Sequence, residues 1–158
     1  IKANSRSHST GKLVAYFSVD RCYALVCCRS RAENFVTMGL GADGRQHYFE
    51  RFPNQLETLY KDRKGYIYFL DSADGMICGK GHSWESEHDV PVAQCEIIAD
   101  VYNEILREEA LGNLVIHRYS EVDPTEQKRH ANYLKDHLMD EGEEMAKFYC
   151  LHFSPLWD

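Results

Sequence analysis

Residues 47–71 read HYFERFPNQLETLYKDRKGYIYFLD, and in this stretch a strand, a short helix and a second strand follow each other without slack. Pro53 suits a first helical turn, where its missing N–H would have had no partner. Phe52, Leu56, Leu59 and Tyr60 recur at helical spacing and give that helix one apolar face. Lys61, Arg63 and Lys64 complement its carbonyl end, and Gly65 can take the left-handed conformation that stops it. The run Tyr66, Ile67, Tyr68, Phe69, Leu70 is aromatic and apolar throughout, which predicts a central strand covered on both faces.

Working outward, 158 residues suffice for one domain with a real core and are too few to predict two. A hydrophobic fraction of 44% excludes a disordered chain. Ten tyrosines favour an interior with polar handles or a lined cleft. The net charge of -7 argues against nucleic acid as a partner, since phosphate binding draws on concentrated Lys and Arg. From Glu121 onward nine acidic face four basic residues, so this segment carries -5 and the remainder -2.

The six cysteines, Cys22, Cys27, Cys28, Cys78, Cys95 and Cys150, form no C-x-x-C and no repeating framework. They read as reduced, mostly buried thiols of a cytoplasmic protein. No stretch approaches the roughly 18 apolar residues of a membrane span, and residues 1–4 are no signal peptide. The missing initial Met leads us to expect a trimmed chain or a fragment.

Along the chain, residues 1–11 are polar and turn-rich and predict an irregular lead-in. Residues 13–17 predict a buried strand, and Ser18 or Asp20 can cap a short helix carrying Cys22, Tyr23, Leu25, Val26 and Cys27 and ending near Arg31. Residues 34–38 and 45–50 predict two strands joined by the turn at 39–44. That turn, GLGADG, matches the dinucleotide fingerprint G-x-G-x-x-G. The fingerprint works only where it opens a helix aimed at the pyrophosphate. Here a strand-like run follows and Asp43-Gly44 is a hairpin signal, so a plain turn is the better reading.

Ala73-Asp74-Gly75 predicts a further turn and residues 76–78 a short strand. Residues 82–88, HSWESEH, read as a polar, aromatic-centred loop; if extended, His82, Trp84, Ser86 and His88 would share one face. Residues 95–98 predict a strand, and Asp100 caps a helix bearing Val101, Ile105 and Leu106 that Gly112 closes. Residues 114–119 predict the last strand. Asp123-Pro124 opens a helical carboxyl segment, with Ala131, Leu134 and Leu138 inward, a break at Gly142, and then Met145, Phe148, Tyr149 and Phe153.

Eight histidines and six cysteines invite a metal reading, yet nowhere do ligands take the spacings of a zinc site. His117 alternates with Val115 and Tyr119 and reads as a satisfied, half-buried strand histidine. Glu85 and Glu87 flank Trp84's loop as a carboxylate pair suited to acid and base work; the plain alternative is a solvated face. A loop of this kind is a place for binding groups, and with Tyr23 it is the expected lining of a functional cleft, the plain alternative being that Trp84 and Tyr23 belong to the core.

The order of a strand ending in Phe17-Ser18, a helix carrying Tyr23-Ala24-Leu25, a helix–strand unit ending Gly65-Tyr66-Ile67-Tyr68, and Trp84-x-Ser86 before Val90-Pro91-Val92 resembles small bacterial proteins similar to the ADP-ribosyltransferase fold. The resemblance covers residues 12–119. It implies a split, largely antiparallel sheet with NAD in the cleft between its halves. It places Ser18 and Tyr23 near the nicotinamide, Trp84, Ser86 and His82 on the cofactor, and Glu85 or Glu87 where charge stabilises the oxocarbenium ion. The family's aromatic-His-Gly-Ser/Thr element has no match, for Ser9 follows His8.

The sequence thus predicts an α+β domain spanning 1–158, with a mixed, mainly antiparallel sheet, helices packed on it and a helical segment at 123–158. Two functions stand beside each other. One is an NAD-binding, ADP-ribosyltransferase-like protein, active or degenerate, taking a small nucleotide ligand. The other is a non-enzymatic domain that meets a protein partner through its acidic carboxyl-terminal helices.

Overall fold

Residues 46–69 fold as their pattern dictates, into a strand, a helix and a strand. In the computed structural model, which describes residues 1–3, 5–7, 10–28, 37–78, 83–138 and 142–157, these are β4 (Gln46–Phe49), α2 (Gln55–Tyr60) and β5 (Gly65–Phe69). Before them come β1 (Ser5–Arg6), β2 (Leu13–Ser18), α1 (Arg21–Val26) and β3 (Thr37–Leu40). After them come β6 (Ile77–Cys78), β7 (Ser83–Ser86), β8 (Gln94–Ile98), α3 (Val101–Ala110), β9 (Leu114–His117), α4 (Pro124–Asp136) and α5 (Glu143–Phe153). The architecture is α+β.

The strands form three sheets, ordered β1-β2-β7-β6, β3-β4-β9 and β5-β8. All pairings are antiparallel except β4 with β9. The main core gathers α1, α2 and α3 on β4, β5, β8 and β9, through Leu25, Tyr48, Leu56, Leu59, Tyr60, Ile67, Val101 and Ile105. Tyr60 shows how a buried tyrosine keeps its handle satisfied: its hydroxyl donates to the Val26 carbonyl at 2.7 Å. Leu56 is 1% exposed in the same cluster as Ile67. Leu56→Ala is therefore expected to cost about 2–5 kcal/mol, read as a lowered urea midpoint at unchanged slope; an unchanged midpoint would show that this helix is misplaced.

Several expectations are corrected. β5 is no central strand: its only neighbour among the described residues is β8, Tyr66 and Tyr68 are exposed on one face, and Phe69 is exposed at the strand's end on the other. Pro53 and Asn54 precede α2 rather than opening it, with Asn54 left-handed at φ 56°. The orphan N–H of Leu56 is met by a buried carboxylate instead, Glu50, whose second oxygen accepts from Tyr119 N and ties the helix start to the end of β9. Asp62, at φ 59°, takes the left-handed turn assigned to Gly65. Gly65 is glycine for another reason: a Cβ there would lie 2.8 Å from Val101 Cγ2.

The lead-in holds β1, and Ser7 is buried. β2 is only half buried, with Leu13 outward. α1 ends at Val26, and the expectations for Arg31 and for residues 34–36 lie outside the described residues. β9 ends at His117 and a short 3-10 turn follows. All six cysteines are thiols, but Cys27, Cys78, Cys95 and Cys150 are exposed: Cys27 follows α1, Cys78 ends β6, Cys95 stands opposite Tyr68 on the open face of β8, and Cys150 lies on the outer side of α5.

The carboxyl segment is helical as expected. Asp123 caps α4 through Thr125 N, and Gly142 stands at the start of α5. The two helices enclose a second cluster of Phe52, Ala131, Leu134, Tyr149 and Phe153, and Phe148 touches both clusters. No helix among the described residues is long and apolar enough to cross a membrane.

His130 sits half-buried between α4 and this cluster. Its pKa is lowered to about 4, first by burial and then by Arg51 and Arg129, with Glu126 opposing. The unfolded chain takes up that proton near 6.5, so stability falls as pH drops from 6.5 towards 4 and no further below. With its partial exposure discounted, the cost at pH 5 is about 1 kcal/mol, or about 2–4 °C in Tm. A His130→Gln variant should lose that much less between pH 7 and pH 5; an identical loss would refute the assignment.

Candidate functional site

β7 carries the residues on which the sequence reading concentrated, and it is a strand rather than a loop. It lies inside the four-stranded sheet, with β2 on one side and β6 on the other. The register sets Ser83 opposite Ser18, Trp84 opposite Phe17, Glu85 opposite Tyr16 and Ser86 opposite Ala15. Alternation then decides the chemistry. Trp84 shares a face with Phe17 and Ser86, while Glu85 shares the opposite face with Tyr16, Ser18 and Ser83.

A cleft of about 2060 Å³ runs between this sheet, α1 and β5. Ser18, Tyr23, Trp84, Glu85 and Glu87 all line it. Ring and carboxylate flank β7 rather than converge. Ser86 does not line the cleft: it is buried, and its hydroxyl bonds the backbone of His88 at 2.9 and 3.2 Å. His82 lies outside the described residues.

The two carboxylates are held differently. Glu85, 8% exposed, accepts the Ser7 hydroxyl at 2.7 Å on Oε2, has no other side-chain hydrogen bond among the described residues, and is one of the residues that line the cleft. Glu87 receives Lys12 Nζ on both oxygens, at 2.8 and 2.9 Å. A paired, screened carboxylate is a poor acid or base, so Glu85 is the one left available. Ser7 has no local motif that announces it; only the β1–β2 pairing brings it across.

Arg21, at the mouth of α1, reaches Glu96 at 2.5 Å, Glu104 at 2.7 Å and Glu108 at 2.6 Å. The hydrogen bond to Glu96 raises its pKa most, against the cost of burial, with Glu104 adding to the rise. Next to it, burial above all, and then Glu108, push the Cys22 thiol up to about 11, so it is no nucleophile at neutral pH. The remaining cations on the cleft are Arg63 and Lys64, where β5 begins.

A second constellation, absent from the sequence reading, sits on the β3-β4-β9 sheet. Asp43 Oδ1 lies 3.0 Å from His47 Nε2, and His47 Nδ1 lies 2.8 Å from His117 Nε2. The ring centroids lie 5.1 Å apart with the planes 26° from parallel, and the two nitrogens are within hydrogen-bond distance of each other. No metal-ligating group of three occurs among the described residues. His117, stacked on Phe49 at 4.4 Å, is thus the satisfied half-buried histidine expected. The glycine-rich turn seats this pair. It closes the antiparallel β3–β4 hairpin, and a Cβ on Gly41 would collide with His47 and Asp43.

On the carboxyl-terminal helices, Glu126 pairs with Arg129 and Glu143 with Lys147, which neutralises part of the acidic surface. Compared with protein-family models, curated proteins and solved structures, the chain matches none.

Proposed function

We propose that the cleft binds NAD and that the protein is an ADP-ribosyltransferase-like enzyme acting through Glu85. One observation carries the reading: a nearly buried carboxylate on an inner strand, anchored by Ser7 through one oxygen and belonging to the lining of the cleft. The residues present fit the ligand. Arg63 and Lys64 offer charge for the diphosphate, and Tyr16 and Ser18 stand on Glu85's face for the ribose and nicotinamide. Trp84, on the other face of β7, is left out of that contact.

In the reaction, the bond between the ribose C1′ and nicotinamide breaks and its electron pair leaves on the nicotinamide nitrogen. The Glu85 carboxylate stabilises by its charge the positive charge that develops on the sugar. Water or an acceptor hydroxyl then bonds C1′ and releases its proton to solvent. Glu85→Gln is expected to bind NAD as the wild type does, by isothermal titration, and to release nicotinamide at least about 100-fold more slowly. Absence of NAD binding by the wild type would sink the proposal.

A second reading draws on α4 and α5, where Tyr133 is 58% and Leu151 73% exposed. Apolar side chains so placed among acids suit a protein partner. A chain that ignores NAD while a Leu151→Asp substitution abolishes partner binding would favour it.

A further inference from the structure

Among the described residues, the hydrogen-bonding groups of β5 are paired with a strand on one side only. Its register with β8 pairs Gly65 with Ile98, Ile67 with Glu96 and Phe69 with Gln94. The carbonyls of Phe69 and Arg63 accept from Ala93 N and Val101 N, at 2.9 and 2.8 Å, so the odd-numbered residues turn their backbone groups towards β8 and α3. Backbone groups alternate along a strand. Those of Tyr66 and Tyr68 therefore turn the other way, towards the cleft that β5 lines. The one contact on that side among the described residues is weak, Cys28 Sγ at 3.7 Å from the Tyr66 carbonyl. A row of such groups is a template for another strand.

We propose that this edge receives an extended peptide segment of a partner protein, which enters the cleft and adds to the β5–β8 sheet as a third strand. The site does not use Glu85, which stands on β7, but it shares Lys64 with the NAD reading, so peptide and NAD would compete at that end. The shape of the place selects the occupant. The edge belongs to a cleft that the neighbouring sheet also lines, through Ile77 on β6 and Trp84 on β7, and a cleft so walled admits a single chain more readily than a second folded copy. Five residues of β5 at about 3.3 Å each accept a peptide of similar length.

Side-chain chemistry narrows the partner further. Tyr66 and Tyr68 stand on one face with Ile97 at 46%, 48% and 61% exposure, so alternate peptide residues placed over that face are apolar or aromatic. Lys64, exposed and 5.5 Å from the Tyr66 ring, favours an acidic residue at that end, and Asp71 a basic one at the other. Backbone pairing with alternate side-chain pockets is the general mode of strand addition.

The test begins with random dodecapeptides displayed on phage and panned on the wild-type chain without NAD. Synthetic versions of the selected peptides are then measured by fluorescence polarisation on wild type and on Tyr68→Pro. Proline at this position removes one cleft-facing N–H and leaves the β8 ladder its donors, so binding should weaken at least 10-fold. Amide exchange on the wild-type chain gives an independent readout, valid even where the variant does not fold. The Tyr68 amide should exchange faster than those of Ile67 and Phe69 in the free protein and slow at least 10-fold on saturation with peptide.

The inference is overturned if panning selects nothing or if selected peptides bind Tyr68→Pro equally well. It is also overturned if the Tyr68 amide is already slow without peptide. A concentration-dependent dimer that Tyr68→Pro abolishes would assign the edge to a second copy instead.

Discussion

Phe52→Ala is expected to lower stability by about 3–5 kcal/mol, a fall in Tm of roughly 10 °C. The ring is 1% exposed and lies where the chain leaves β4, outside the main core. It meets Phe148 at 5.7 Å and Phe153 at 5.6 Å edge-on, and stacks on His152 at 4.1 Å. Three of its neighbours thus belong to α5, and the cavity left by alanine opens the seam between α4 and α5 on one side and the sheets on the other. Amide exchange should rise first in α4 and α5, while α2 and α3 keep their protection. A loss under about 1 kcal/mol, or uniform exchange across both clusters, would show that the carboxyl helices hold on by other means.

Arg21→Met should cost roughly 2–4 kcal/mol. The fully buried case runs to about 3–5 kcal/mol; here the side chain is 29% exposed and the loss is smaller. Methionine fills similar volume but leaves Glu96, Glu104 and Glu108 facing one another, with Arg107 still on Glu104 at 3.0 Å and Asn113 on Glu108 at 2.7 Å. Deprived of the guanidinium, these carboxylates bind protons more readily when folded than when unfolded. The variant's deficit should therefore shrink as pH falls from 7 towards 4.5, a convergence that chemical denaturation at the two pH values would reveal. A deficit that widens on acidification would mean that lost packing dominates. Arg21→Lys should recover only part, because one ammonium cannot serve three carboxylates held by a fork.

The helices were legible because each carries local signals: Asp20, Asp100 and Asp123 accept backbone N–H groups as their cap positions predict. The strand identities were legible too, but not their neighbours. The run at 66–70 is as apolar as a central strand, yet half of it faces outward; what such a run packs against is set by partners distant in sequence. The same limit hid the candidate site. Residues 82–88 look like a loop because Ser, Glu and His dominate, and only pairing with β2 and β6 makes them an inner strand whose alternation parts Trp84 from Glu85. Nor does any spacing along the chain announce that Ser7 reaches Glu85, 78 residues away.

The exposed thiols carry a practical consequence. Cys27 and Cys78 line the cleft, whereas Cys95, opposite Tyr68 on the open face of β5–β8, and Cys150 on the back of α5 stand outside its lining. A molecule with at least two outward thiols is a monomer that can be joined at more than one point. Air oxidation of the purified chain would not stop at pairs but would link copies end to end into sulfur-joined filaments, visible as a ladder on a non-reducing gel. Blocking both Cys95 and Cys150 should shorten the ladder to what the two cleft thiols can still join.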